Sequence, residues 1–240
     1  WTKWFKDIWF DTSGAWMAYA FGDAKAVPAG ATRDIPCVAK QSALLVIDVQ
    51  YYCSVPHRGC HKGISREQKQ YFFDRVDQVM VPNIARCLAA ARGAGTEVVY
   101  TCIESLTHDG REQSLDYKLS GPLFVPKGHA DARVLQEIAP LDTEIYIPKT
   151  SCDVFSSTNI DYVLRNLGTR HLLICGQVTN QCVESAVRSA ADRGYLVTVI
   201  EDACAAFSPN DHAIGLHNMR GFARVVNSDE VVAELALPCD

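Results

Sequence analysis

The sequence predicts an α/β fold: a three-layer sandwich with a mainly parallel six-stranded sheet and helices on both faces. Three observations predict it. Short, near-continuous apolar runs alternate with longer segments of helical periodicity, as in parallel sheets buried on both sides. Glycines fall at the ends of the helical segments, where a left-handed residue stops a helix. The 240 residues suffice for one sizeable core.

The elements follow in order. Pro28-Ala-Gly-Ala-Thr-Arg-Asp-Ile-Pro36 separates an N-terminal arm (1–37) from the main domain (38–240). All four tryptophans, Trp1, Trp4, Trp9 and Trp16, lie in that arm. Large aromatics at near-helical spacing pack on a core or a partner subunit more often than they bind ligands, so a structural role is expected. No long apolar stretch follows a basic start, so no secretory leader is expected. The first strand covers 43–49. A helix over 67–93 follows, with Val76, Val79, Ile84, Cys87, Leu88 and Ala91 at helical spacing, and Gly93-Ala-Gly95 stops it. A strand over 97–102 leads into a long polar segment, 104–127, suited to a lid or pocket rim. A helix over 132–138 and a strand over 144–148 come next. A helix over 159–167, stopped by Gly168, precedes a strand over 171–175. A helix over 182–193, stopped by Gly194, precedes a strand over 196–200. A helix near 212–220, a strand over 223–226 and a helix from Ser228 complete the chain.

Composition narrows the function. Hydrophobic residues make up 48% and charged residues 21%, with a net charge of −5 and a pI near 5.8. Nothing there favours nucleic acid or an anionic membrane surface, and no apolar run is long enough to span a bilayer. Ten cysteines invite a disulfide reading, but a chain this long does not need disulfides to hold a core. Most sit in strands or helices, where a reduced thiol behaves as a small hydrophobe. A reducing, cytoplasmic compartment is expected. No Cys-x-x-Cys occurs, which speaks against a redox protein.

Chemistry concentrates at three strand ends. Ala43-Leu-Leu-Val-Ile-Asp48 ends in a carboxylate, and Thr143-Glu-Ile-Tyr-Ile-Pro-Lys149 ends in an ammonium. In Leu172-Leu-Ile-Cys-Gly-Gln-Val-Thr-Asn-Gln-Cys182, a strand and turn deliver a thiol to the start of a helix, where the dipole favours a thiolate. Sites in parallel sheets form beyond the carboxyl ends of the strands, so the three converge by topology. Taken singly, Asp48 is as well read as a cap, Lys149 as a surface residue and Cys182 as another buried thiol. Together they form a base, a cation and a nucleophile. Asp48 can take the thiol proton, Lys149 can hold Asp48 ionised and favour the thiolate, and Cys182 can attack a small amide carbonyl. Backbone N–H groups at the helix start suit the resulting oxyanion.

The motifs Val46-Ile-Asp48-Val-Gln50, Ile147-Pro-Lys149-Thr and Gly176-Gln-Val-Thr-Asn-Gln-Cys182-Val, in this order, resemble the isochorismatase-like hydrolase superfamily. Its cysteine amidohydrolases include nicotinamidases, N-carbamoylsarcosine amidases and ureidoacrylate amidohydrolases. The agreement spans about residues 38–235. The resemblance implies catalytic Asp48, Lys149 and Cys182, a cis peptide between Gln177 and Val178, and an oxyanion hole from the N–H groups of Val178 and Cys182. It places Glu104 among substrate-contacting residues. Gln50, Tyr51, Tyr117, Lys118, Phe155 and Gln177 are further candidates, with Arg111 a solvated loop residue. No cofactor is implied. The Asp-x-His metal pair of nicotinamidases is missing, and Glu104-Ser105-Leu106 does not replace it, so neither that metal nor nicotinamide is expected. Cys53-Ser-Val-Pro-His57-Arg-Gly-Cys60-His61 holds zinc-ligand types at a spacing that matches no common structural site, and an ordinary loop is expected. The reaction implied is C–N cleavage of a small linear amide or ureide through a thioester, with release of ammonia, by a homo-oligomer (dimer or tetramer). Vinyl-ether hydrolysis and a non-catalytic binding member of the same fold are the alternatives.

Overall fold

The computed structural model describes residues 32–121 and 123–237, so the four tryptophans and residues 1–31 of the arm lie outside the described residues. Six strands form one sheet in the order β3-β2-β1-β4-β5-β6, every pair parallel. They are β1 (Ser42–Ile47), β2 (Glu97–Ile103), β3 (Ile145–Lys149), β4 (His171–Gln177), β5 (Leu196–Ala205) and β6 (Arg224–Val226). All residues of β1 and β4 are buried, the two-sided burial that their unbroken apolar runs require. The chain starts in the middle of the sheet, winds outward to β3, then returns to β4 and winds the other way. The reversal between β1 and β4 opens a crevice at the carboxyl ends.

Between β1 and β2 lie α1 (Tyr51–Ser54), α2 (Gln70–Arg75) and α3 (Val81–Ala94), with a π-helical turn, Val76–Met80, joining the last two. Gly95 ends α3 in the left-handed conformation, φ 66°. The polar segment after β2 carries α4 (Leu115–Leu119), capped by the Ser114 hydroxyl. After β3 come α5 (Val154–Ser157) and α6 (Ile160–Asn166). A π-helical turn, Thr179–Val183, leads from β4 into α7 (Glu184–Asp192). α8 (Pro209–Met219) starts at a Ser208 cap with Pro209 in the first turn, and α9 (Ser228–Leu235) starts at an Asn227 cap. Helices α3 and α9 pack together on one face, and α7 with α8 covers the other.

One expected element is corrected. Residues 132–138 do not form a helix; two 3₁₀ turns, Ala130–Ala132 and Gln136–Ile138, flank an extended stretch. Val134 bridges antiparallel to Gln50, Tyr51 N–H donates to Arg133 O (3.0 Å), and Leu135 N–H donates to Val49 O (3.1 Å). The chain leaving β1 needs these partners more than residues 132–138 need a helix.

Candidate active site

Asp48 follows β1 directly, in the left-handed region at φ 57°, with its N–H held by Thr101 O at 2.8 Å. A non-glycine residue there is uncommon, and such positions gather where a side chain must be aimed. Lys149, the last residue of β3, is fully buried, and its Nζ lies 3.0 Å from Asp48 Oδ2. The same ammonium donates to Tyr117 OH (2.6 Å), Ser151 O (2.9 Å) and Cys182 Sγ (3.4 Å). Cys182, in the π turn after β4, is 8% exposed, so its sulfur sits at the floor of the site and not on the surface. A carboxylate, an ammonium and a thiol from three strand ends thus meet around one Nζ.

Electrostatics follow from burial. Loss of solvent pushes the Asp48 carboxyl well above its usual range, and the Cys182 thiol adds to the rise, while Lys149 opposes it. Burial also works against the Lys149 charge, but Asp48, Cys182 and Tyr117 outweigh it and hold the lysine protonated. The Cys182 thiol is raised by its contact with Cys152 and by burial, and lowered by Lys149 and Asp48. Neither Asp48 oxygen takes an aligned hydrogen bond, although both are sealed from water. Such a carboxylate is a ready proton acceptor.

The other candidates divide. Tyr117 is buried and touches Lys149. Gln177 lies against the triad, donating from Nε2 to Asp48 O (2.9 Å) and Ser54 Oγ (2.8 Å), while its Oε1 is buried without a hydrogen bond. Gln50 is consumed as a tie: its amide bonds both backbone groups of Ile103 and Asp131 O. Glu104 is held by Gly128 N–H (2.8 Å) and Tyr146 OH (3.1 Å). The Tyr51 ring lies under the Arg58 guanidinium at 4.5 Å, and Lys118 is exposed with its ammonium on Arg111 O. Phe155 is not brought to the cluster; it packs on Tyr195, which precedes β5 at the amino-terminal end of that strand. The Gln177–Val178 peptide is cis.

The loop with zinc-ligand types is otherwise engaged. His61 bonds Cys53 O at 3.0 Å and packs among Phe72, Phe73 and Phe207, and Cys60 Sγ donates to Tyr52 O. Among the described residues no group of three or more His, Cys, Asp or Glu side chains is arranged to hold a metal ion.

Two features escape a reading of motifs. Cys152 Sγ lies 3.8 Å from Cys182 Sγ and 3.5 Å from Ser185 Oγ. Its position three residues after Lys149 was the only signal. Below the turn that carries Cys182, His212 Nδ1 lies 2.9 Å from Thr179 Oγ1, and Arg75 Nη2 lies 2.7 Å from His212 Nε2. Arginine only donates, so Nε2 accepts and Nδ1 carries the proton given to Thr179. Burial, then the Arg75 charge, lowers the His212 pKa to about 4, keeping the ring neutral.

Comparison with known proteins bears on the fold and the family. Residues 42–230 match the family model described as the isochorismatase domain. The ureidoacrylate amidohydrolase RutB of Variovorax paradoxus is 32% identical over 69% of this chain and 69% of its own. The RutB of Rhizobium rhizogenes is 33% identical over 54% of this chain, which spans 59% of that relative. Among solved structures, a cysteine hydrolase from Pseudomonas syringae pv. phaseolicola superposes with a TM-score of 0.73 at 26% identity, covering 84% of this chain and 95% of its own. N-carbamoylsarcosine amidase from Thermoplasma acidophilum gives 0.60 at 25%, covering 79% and 97%. With the family model matched over most of its length, the chain belongs to the isochorismatase family of hydrolases.

Proposed function

We propose that this protein is a cysteine amidohydrolase that cleaves a C–N bond of a small linear amide or ureide and releases ammonia. The observation that carries the reading is the Lys149 ammonium, 3.0 Å from the Asp48 carboxylate and 3.4 Å from the Cys182 sulfur in a buried site. Asp48 takes the thiol proton, and the Cys182 thiolate attacks the carbonyl carbon. The N–H groups of Val178 and Cys182 receive the oxyanion, each donor contributing roughly 10²–10³ in rate. Asp48 returns the proton to the departing nitrogen, then draws one from the water that hydrolyses the thioester. Lys149 stays charged throughout and offsets the changing charge of its two neighbours.

A linear amide or ureide is favoured by the likeness to ureidoacrylate amidohydrolases and to an N-carbamoylsarcosine amidase. Tyr117 and Gln177, the two candidates in contact with the triad, are the groups we assign to the substrate's polar end. The buried, unpartnered Gln177 Oε1 suits an N–H donor such as a ureido nitrogen.

The test is ammonia release by wild type and Cys182→Ala over ureidoacrylate, N-carbamoyl amino acids, maleamate, oxamate and nicotinamide. Release from a linear ureide or amide, reduced at least about 10³-fold in the variant, is expected. Release that survives Cys182→Ala, or none from any compound, would overturn the reading and direct attention to vinyl-ether hydrolysis.

A further inference from the structure

We propose that Cys152 and Cys182 form a peroxide-responsive dithiol, in which a peroxide oxidises Cys182 and Cys152 captures the product as a reversible disulfide. The proposal rests on where the two sulfurs lie. Its consequence for turnover rests on the cysteine-hydrolase reading; the modification itself does not.

The sulfurs are 3.8 Å apart and share a hydrogen bond. Bond formation needs them at about 2.05 Å. Both side chains sit where that closure is cheap. Cys152 lies in the short loop between β3 and α5, and Cys182 in the π turn after β4, so neither is fixed mid-strand. Cys152 is half-buried and Cys182 is 8% exposed, so neither is sealed as deeply as the thiols of the core.

The surroundings select this pair. The Cys182 thiol is itself raised by Cys152 and by burial, so its attack needs the proton to pass first to Asp48, and the Lys149 ammonium, 3.4 Å from Cys182 Sγ, steadies the thiolate that results. The hydrogen bond to Cys182 then pulls the Cys152 thiol down to about 7, against burial and with help from Ser185 and Lys149. A resolving thiol titrating near neutral pH combines a usable thiolate fraction with good nucleophilicity. Elsewhere, Cys87, Cys102, Cys175 and Cys204 are sealed in the core with their thiols pushed up by burial, to about 12 for Cys87 and Cys204. Cys60 is the one other thiol pulled down among those described, to about 5, first by its hydrogen bond with Cys53; that pair is the internal comparison.

The chemistry balances. The Cys182 thiolate attacks one peroxide oxygen, the O–O bond breaks, and the departing hydroxide takes a proton to leave as water. Sulfur has lost two electrons and Cys182 is a sulfenic acid. The Cys152 thiolate attacks Cys182 Sγ, the S–O bond breaks, and the second hydroxide leaves as water with a proton. Lys149 lies beside both departures. Two thiols and one hydrogen peroxide give one disulfide and two waters, and an external dithiol reverses the result. Without Cys152, the sulfenic acid is open to further oxidation that thiols do not reverse.

The experiment is hydrogen peroxide titration of the purified protein, alkylation of the remaining thiols, and non-reducing tryptic mapping by mass spectrometry. The expected product joins fragment 150–165 to fragment 171–188, with fragmentation placing the bond on Cys182 and not on Cys175, and dithiothreitol reverses it. In Cys152→Ala, the same dose is expected to give Cys182 sulfinic and sulfonic acids that dithiothreitol leaves unchanged. Cys152→Ser, which keeps the size and polarity at Ser185, repeats the comparison should the alanine variant fold poorly. Over-oxidation of Cys182 at equal rates in wild type and both variants would overturn the proposal. So would a map in which Cys53–Cys60 is the linkage formed. The mapping needs no substrate, so a protein that forms the 152–182 link yet hydrolyses no amide supports the dithiol and counts against the amidohydrolase reading alone.

Discussion

Lys149 is the residue on which the site's charges balance. Fully buried, it neutralises Asp48 and touches the sulfur, the tyrosine hydroxyl and the loop carbonyl that surround it. Removing one partner of a buried pair leaves the other uncompensated, typically at a cost of about 3–5 kcal/mol. Lys149→Met is expected to lower unfolding free energy by about that amount at pH 7. Adding Asp48→Asn should recover part of it, since no charge is then left in the site; urea titration of both variants checks this. Asp48, Lys149 and Cys182 were legible in the sequence because each ends an apolar run or follows one across a short turn, and parallel strands deliver their ends to one edge. The directions of side chains were not legible. Gln50 stands two residues after Asp48 and Glu104 directly follows β2, yet both are occupied by backbone or side-chain partners from segments that no local pattern announces. Cys152 was hidden for the opposite reason: among ten cysteines, a thiol near a lysine looks like any small core residue until a second sulfur is found beside it.

The elements that aim Cys182 are a strand end, a turn and the helix beneath it. Gly176 sits on β4 at φ 119°, and a methyl group there would stand 2.1 Å from Ile47 O and 2.7 Å from Ile47 N, on the neighbouring strand. Only glycine lets β4 pass so close to the end of β1. Gly176→Ala is therefore expected to cost on the order of 4 kcal/mol and to sink soluble yield; an unchanged melting temperature would contradict that account. The π turn after it is braced from below by the Thr179–His212–Arg75 chain. Thr179→Val removes the hydroxyl with little change of volume. A roughly tenfold fall in kcat with KM nearly unchanged is expected, because the turn positions the thiol without touching substrate. At this scale the sequence was legible in its strands and in most helix ends, since glycines, prolines and caps mark them. The π turns and the extended 132–138 stretch were not, because tertiary partners decide them and the local pattern does not.

Over the whole molecule, acid stability turns on neutral histidines. His171, at the start of β4, bonds Thr198 Oγ1 at 2.8 Å, and burial, then Arg224, lowers its pKa to about 4. His212 is lowered to about 4 as well. In the unfolded chain each titrates near 6.5, so below that pH the unfolded state binds protons that the native state refuses. Stability held above pH 6.5 is lost as pH falls through 4. Between pH 7 and 5 the fully buried His171 accounts for about 2 kcal/mol of that loss. His171→Gln, which cannot titrate, should flatten the decline by a similar amount in urea titrations at the two pH values. Among the described residues no helix is long and apolar enough to cross a membrane. The fold class, the sheet and the family were legible at this scale because alternating β and α segments admit few topologies. The order of the outer strands came only with the structure.

The sheet order has a consequence for a chain still being synthesised. Asp48 and Lys149 come from β1 and β3, on the half of the sheet that is made first, whereas Cys182 follows β4, which docks against the free edge of β1. A nascent chain paused before β4 holds the base and the cation with no sulfur between them, and a fragment beginning after β3 holds the sulfur alone. Cys182 meets Asp48 and Lys149 only once the chain has left the ribosome past residue 182 and the crevice between β1 and β4 has closed.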